Sequence, residues 1–476
     1  MNIPRLLAAS LIGLLTGCSA PDPGSDTSSA LADGRLAGAT RLERNGWVYV
    51  HFQGPPSQLG FQHGYLLASE IADLLRVSKP LLQQLTKKDW AFYRKAAEDV
   101  LWPKIEPEYQ QELDGIVAGL KFKDAAAATD RWDIVALNAY LELSSYYAPW
   151  LDKQAGRKPT VSSPESCSAF IATGAYTRDH RIVMAHNAWT DYVVGTRWNI
   201  VFDLVPEKGH RILMDGLPGI IISDDDFDVN SAGVMVTETT ISKFAGFDPN
   251  GTPEFMRARK AIQYASSIDD VVRIMLDGNN GGYANDWLIG DNKTGEVARF
   301  ELGLKEHSLE RTMDGYFVGS NFPVGAALIK NETTFDAKNK TSSANARHAR
   351  WDELMAKHKG VIDAEIAKRL ESDVYDIIDR KNGPSERSLC GTVETSPRGI
   401  PDWDWAPYFP GGTVQAKVTT AVMAEQMKMW AAVGHPCGQD FIAADHVAKH
   451  PEFGWAKDLL RDLKTQPWTE FTVGMR

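Results

Sequence analysis

The sequence predicts an α+β fold in which antiparallel sheets pack together and are covered by helices, and three observations predict it. Helical periodicity dominates residues 41–151, strand-like segments follow one another from Cys167 onward, and helical patterns return at 253–276 and 344–380. Strands bracketed by helices on both sides of the sequence need helices on the sheet faces to bury their apolar sides. The 476 residues suffice for two domains or one large layered one, and no internal repeat interrupts them.

Taken in order, residues 1–17 read as a signal peptide, with Arg5 followed by a mostly apolar stretch, 6–15, that is too short to span a bilayer. Leu15-Thr16-Gly17-Cys18 resembles a bacterial lipobox. That resemblance implies lipidation of Cys18, export, and anchorage to the cell envelope from outside the cytoplasm, at the periplasmic face of the outer membrane. An ordinary secretory signal cut near Ala20 is the competing reading. Residues 18–40, with Ser, Asp, Pro and Gly concentrated up to 34, read as a flexible tether.

Residues 41–151 form a mainly helical N-terminal segment. It opens with a strand at 47–52, after which the apolar spacing from Leu59 predicts a helix introduced by a Gly-rich turn. Further helices are expected over 89–101, 106–120 and 131–147. Residues 152–166 are a polar, Pro/Ser-containing linker that ends directly before Cys167, and 167–476 form the main region. There, strands are expected at 197–205, 211–214, 233–241, 287–291, 296–302, 315–318 and 414–423, and helices at 253–264, 268–276 and 344–380.

The stretch from Cys167 reads as a hairpin: apolar residues 168–173, a turn-prone 174–179, then a second strand over 181–186. A turn centred near Thr177 sets Cys167 opposite His186 and Asn187. Because side chains alternate, these two cannot both face the thiol unless a bulge intervenes. A buried structural cysteine is the plain alternative.

The formal net charge of −11, with no Lys/Arg block, gives no footprint for a nucleic-acid partner. Of the four cysteines, removing Cys18 leaves Cys167, Cys390 and Cys437, so one thiol stays free in an oxidising compartment. A Cys390–Cys437 disulfide would leave Cys167 as that one, although spacing alone does not fix the pairing. There is no G-x-S-x-G elbow, no H-E-x-x-H motif and no Gly-rich phosphate loop. His446 and His450 have helical zinc-ligand spacing with nothing nearby to complete a site, and Asp224-Asp225-Asp226 reads as an acidic turn; no metal or cofactor is expected.

Several segments, in order over about 160–430, resemble the phospholipase B-like (lamina ancestor) proteins: Cys167-Ser168-Ala169, His186-Asn187-Ala188-Trp189 with Tyr192 and Arg197, and Leu217-Pro218-Gly219 leading to 223–227. So do 233–240, Tyr283-Ala284-Asn285-Asp286-Trp287, 315–323 and 411–419. Gly60-Phe61-Gln62-His63-Gly64 is similar to the N-terminal pattern of the related penicillin acyltransferase group. The resemblance implies a four-layer αββα N-terminal-nucleophile hydrolase, allied also to the choloylglycine hydrolases, that cuts its own chain between Ser166 and Cys167.

The freed α-amine of Cys167, with an ordinary pKa of roughly 7.7 to 8.0, would then serve as base for its own thiol. The thiolate would attack an ester or amide carbonyl to give an acyl-enzyme. Asn285 is the implied oxyanion donor, His186 or Asn187 would orient the amine or substrate, and Trp189 and Trp287 would wall the pocket. Where related acyltransferases carry an aspartate, this chain has Trp189. Arg197, Arg347 and Arg350 are the candidates for an expected arginine. The expected substrate is a phospholipid or another acylated small molecule; the alternatives are an amidase or acyltransferase on N-acyl amines or bile-salt-like conjugates, and a non-catalytic envelope binding protein. Nothing in the sequence sets the oligomeric state.

Overall fold

The structure, a computed structural model, describes residues 33–158, 166–224 and 226–476. The expected signal peptide, Cys18, most of the tether, residues 159–165 of the linker, and Asp225 lie outside them. Residues 33–37 hold one 3-10 turn, Gly34–Leu36. Residues 38–476 are a single compact unit.

That unit is built on two sheets and one small hairpin. Along the chain the strands are β1 (Thr40–Arg44), β2 (Trp47–Gly54), β3 (Ser166–Thr173), β4 (Val183–Asp191), β5 (Ile200–Pro206), β6 (Ile212–Gly216), β7 (Phe227–Asn230), β8 (Val234–Thr240), β9 (Asn285–Asp291), β10 (Glu296–Leu302), β11 (His307–Thr312), β12 (Gly315–Gly319), β13 (Tyr375–Asp376), β14 (Lys381–Asn382), β15 (Gly411–Thr420), β16 (Lys428–Val433) and β17 (Thr469–Thr472). The larger sheet runs β1-β2-β5-β6-β7-β8-β9-β10-β11, and the smaller runs β12-β3-β4-β15-β16-β17. Pairing is antiparallel with one exception: β2 lies parallel to β5, Val48 opposite Ile200. A parallel pair needs a long crossover, and the N-terminal helices supply it.

Alternation along β3 and β4 shows how the layers form. Ala169, Ile171 and Met184 point into a core shared with Val201, Leu213, Phe227, Met235 and Leu288 of the larger sheet. Their neighbours Phe170, Ala172, Val183 and Ala185 point the other way, against Trp351, Leu354 and Leu370 of the helices Ser343–Lys357 and Ala364–Glu371. The outer face of the larger sheet, including Val50, Phe202, Val236, Ile289 and Phe300, is covered by helices that include Ala68–Thr86, Pro107–Lys123, Glu254–Tyr264 and Ile268–Leu276. The architecture is therefore the αββα sandwich of N-terminal-nucleophile hydrolases. Among the described residues no helix is long and apolar enough to cross a membrane.

Two expectations change. Gly60 and Gly64 lie inside the helix Pro56–Leu66, not in a turn before it. The region 344–380 contains two helices separated at 358–363, and its end forms the β13–β14 hairpin. The strands β1 and β2, at the start of the N-terminal segment, complete the larger sheet.

Candidate functional site

Cys167 is the second residue of β3 and is buried between the sheets. Its cross-strand partner is Ala188, while Ser168 faces Asn187 and Ala169 faces His186. This register is one residue beyond the expected one, because β4 begins at Val183 and the connection contains the 3-10 turn Gly174–Tyr176. The consequence is a choice between the two polar residues. His186 shares the inter-sheet face with the thiol, and Asn187 points to the helical layer, where its Nδ2 donates to the carbonyls of Glu371 (2.6 Å) and Leu389 (3.2 Å).

The backbone of Cys167 is held on both sides. Its N–H donates to Asn321 Oδ1 at 3.1 Å, and its carbonyl accepts from Arg347 Nη1 at 2.5 Å. Arg347 also donates to Ser168 Oγ at 3.0 Å and to Asn321 Oδ1 at 2.8 Å. Its guanidinium lies 4.9 Å from the centre of the Trp189 ring, a cation–π contact that stands in for a carboxylate partner. Burial pushes this arginine down to about 9. Asn321 follows β12, and its own amide nitrogen donates to Thr240 O at 2.8 Å.

The thiol projects into a buried polar cluster. Cys167 Sγ lies 3.9 Å from Asp226 Oδ1. Asp226 Oδ2 accepts from Lys417 Nζ at 3.0 Å and stands 3.5 Å from His186 Nδ1. The same ammonium reaches Asp215 Oδ2 at 3.0 Å, which also accepts from Gln415 Nε2 at 2.8 Å. Burial raises the Asp226 carboxyl well above its ordinary range, with Lys417 opposing. Burial also pulls Lys417 down, but Asp215 and Asp226 outweigh it and the ammonium is raised. His186 is held well below its ordinary value by burial and by Lys417. The result is a neutral imidazole beside a lysine–carboxylate bridge that joins β15 to β6 and to the turn before β7.

Asn285 stands at the start of β9, and with its amide nitrogen turned toward Glu238 it donates to Oε2 at 2.8 Å. Tyr283 reaches the other oxygen of Glu238 at 3.3 Å. Trp287 lies in the core between the larger sheet and its helices. Arg197 pairs with Asp73 at 2.6 Å and donates to the carbonyls of Val193 and Leu459, outside the cluster. Arg350 pairs with Asp373 at 2.7 Å. Of the three arginines, Arg347 is the one that touches Cys167. Asn321, Asp226, Glu238 and Lys417 lie in segments with family resemblance, yet no local pattern marks their side chains as convergent. Cys390 and Cys437 form a disulfide, leaving Cys167 as the free cysteine among the described residues.

The chain is similar to several known proteins. An uncharacterized protein of Archaeoglobus fulgidus is 25% identical over 52% of this chain and 42% of its own length. Phospholipase B-like protein C of Dictyostelium discoideum is 27% identical over 40% of this chain and 37% of its own. The 40 kDa form of the acyl-coenzyme A:6-aminopenicillanic-acid-acyltransferase of Emericella nidulans is 23% identical over 68% of this chain and 82% of its own. The chain thus spans about two fifths of the length of the first two relatives. The phospholipase B family model matches residues 71–310, half of the chain, and the protein belongs to that family.

Proposed function

We propose that this chain is an acyl hydrolase whose nucleophile is Cys167, exposed as a new N-terminus when the protein cuts its own Ser166–Cys167 bond. The observation that carries the reading is the two-sided placement of Cys167: its nitrogen is aimed at Asn321 Oδ1, 3.1 Å away, while its thiol enters the polar cluster. In the self-cleavage step the sulfur attacks the carbonyl carbon of Ser166, the C–N bond breaks, and the resulting thioester is hydrolysed by water. This leaves the Ser166 carboxylate and the free amine. Asn321 Oδ1 would then hold that amine beside the thiol it deprotonates. Substrate acylation repeats the chemistry on an ester carbonyl, and water releases the acid.

In this reading Asn285 supplies an oxyanion donor only after its amide turns from Glu238. The class of substrate is an acyl ester of a (phospho)lipid, supported by membership of the phospholipase B family. Transfer to or from an amine is the second reading, favoured by the acyltransferase relative that matches 68% of this chain. We further read residues 1–17 as a signal peptide and Cys18 as a lipid anchor in the bacterial envelope. The Cys390–Cys437 bond supports an oxidising compartment.

The test is the mass and N-terminal residue of every fragment in the purified protein. A fragment beginning at Cys167, missing in Cys167→Ala and accompanied by acyl labelling of the wild-type thiol, is expected. A chain that stays whole and unlabelled would leave the non-catalytic binding protein as the surviving alternative.

A further inference from the structure

Cys167, His186, Asp226 and Glu238 each place one potential ligand atom within 4.8 Å of all the others, and all four residues are buried. They come from β3, β4, the turn before β7, and β8, so the grouping exists only in the folded chain. One thiol, one imidazole and two carboxylates are the S, N and O donors that zinc takes. One edge of the group also has close to tetrahedral length. With ordinary zinc–ligand lengths, tetrahedral geometry separates an N/O pair by about 3.3 Å and an S/O pair by about 3.5 Å. His186 Nδ1 is 3.5 Å from Asp226 Oδ2, close to the N/O edge, while Cys167 Sγ is 3.9 Å from the other oxygen, Oδ1, so the carboxylate must turn or the thiol move by a few tenths of an ångström for both to share one ligand oxygen.

A further observation points to a cation. The fully buried His186 has only long or poorly aligned contacts for its ring nitrogens, Asp226 Oδ2 at 3.5 Å and the Glu238 backbone, an arrangement that costs free energy unless a better partner takes a lone pair.

We propose that Cys167, His186, Asp226 and Glu238 form a binding site for one divalent ion of the zinc class. Binding replaces the thiol proton by a sulfur–metal bond and releases that proton to solvent. The site stands independently of the reading of Cys167 as a nucleophile. Its consequence rests on that reading: a sulfur lone pair committed to the metal cannot attack a carbonyl, so zinc would inhibit both self-cleavage and acyl transfer.

Cobalt(II) is the probe, titrated into the metal-free full-length protein and then displaced by zinc. The expected result is one equivalent bound, with the intense thiolate-to-cobalt charge-transfer band and the visible bands of a tetrahedral site. The charge-transfer band should vanish in Cys167→Ser, and affinity should fall tenfold or more in His186→Ala, or in His186→Gln if the alanine variant does not fold. His446→Ala/His450→Ala should bind like the parent. No charge-transfer band in the parent, or one that survives Cys167→Ser, overturns the site. Because the band is read without substrate, its absence is separable from a failure of self-cleavage, which fragment masses report.

Discussion

Asn321 holds the Cys167 nitrogen from a left-handed backbone position, φ +64°, which asparagine tolerates better than most residues. Its oxygen accepts from both Cys167 N and Arg347 Nη2, and its nitrogen is committed to Thr240 O, so the amide cannot turn without losing bonds. Asn321→Ala removes that acceptor and adds left-handed strain, whereas Asn321→Gly removes the acceptor alone. Both are expected to slow release of the fragment beginning at Cys167 about a hundredfold, as a misplaced reacting group does, and the glycine variant should lose less stability. Self-cleavage at the parental rate in Asn321→Gly would show that the acceptor is irrelevant. The cysteine itself was legible in the sequence as the start of a strand behind a linker. Which neighbour faces it was not, because a one-residue change of register exchanges His186 for Asn187. Asp226 read as part of an acidic turn for a similar reason: its partner Lys417 lies 191 residues away.

Glycines decide how closely two N-terminal helices approach. A Cβ on Gly60 would sit 1.8 Å from Glu112 O, and one on Gly119 would sit 2.2 Å from Phe61 O. Gly64 and Gly115 meet similar backbone obstacles, so Pro56–Leu66 and Pro107–Lys123 cross backbone against backbone. Backbone cannot give way as a side chain does, so Gly60→Ala is expected to destabilise by about 3 kcal/mol or more, above the common range for overpacking. Gly454→Ala, where nothing lies within 4 Å, should stay within about 0.5 kcal/mol of the parent. Comparing the two by thermal unfolding tests the crossing; equal effects would disprove it. Sequence reading took Gly60 and Gly64 for a turn because glycine is a poor helix former, and the compensation lies on a helix about fifty residues away in the chain. Strands buried on both faces, such as β8, β9 and β10, were legible as short runs rich in apolar and β-branched residues. The edge strand β11, His307–Thr312, was missed because it buries none of its side chains.

Across the whole molecule, burial of acidic groups sets an unusual pH dependence. Burial raises Asp224, Asp228 and Asp286 to about 7, and Glu142 and Glu394 to about 8. In the unfolded chain these groups ionise near pH 4, so above that value the folded state binds more protons and stability falls as pH rises, until the folded groups have also ionised. Burial depresses His63 to about 3 and His435 and His446 to about 4. These histidines act in the opposite sense: their contribution rises with pH and is complete a little above their unfolded pKa of about 6.5. The two sets oppose each other in mild acid, but between about pH 7 and pH 8 the carboxyl groups dominate. The unfolding temperature should therefore be a few degrees lower at pH 8 than at pH 7. Glu394→Gln, which keeps an oxygen to accept from Tyr192 at the 2.8 Å contact, should flatten that slope. Calorimetry at the two pH values checks both, and an unfolding temperature that rises over this interval would mean that these carboxyl groups are already ionised in the folded protein.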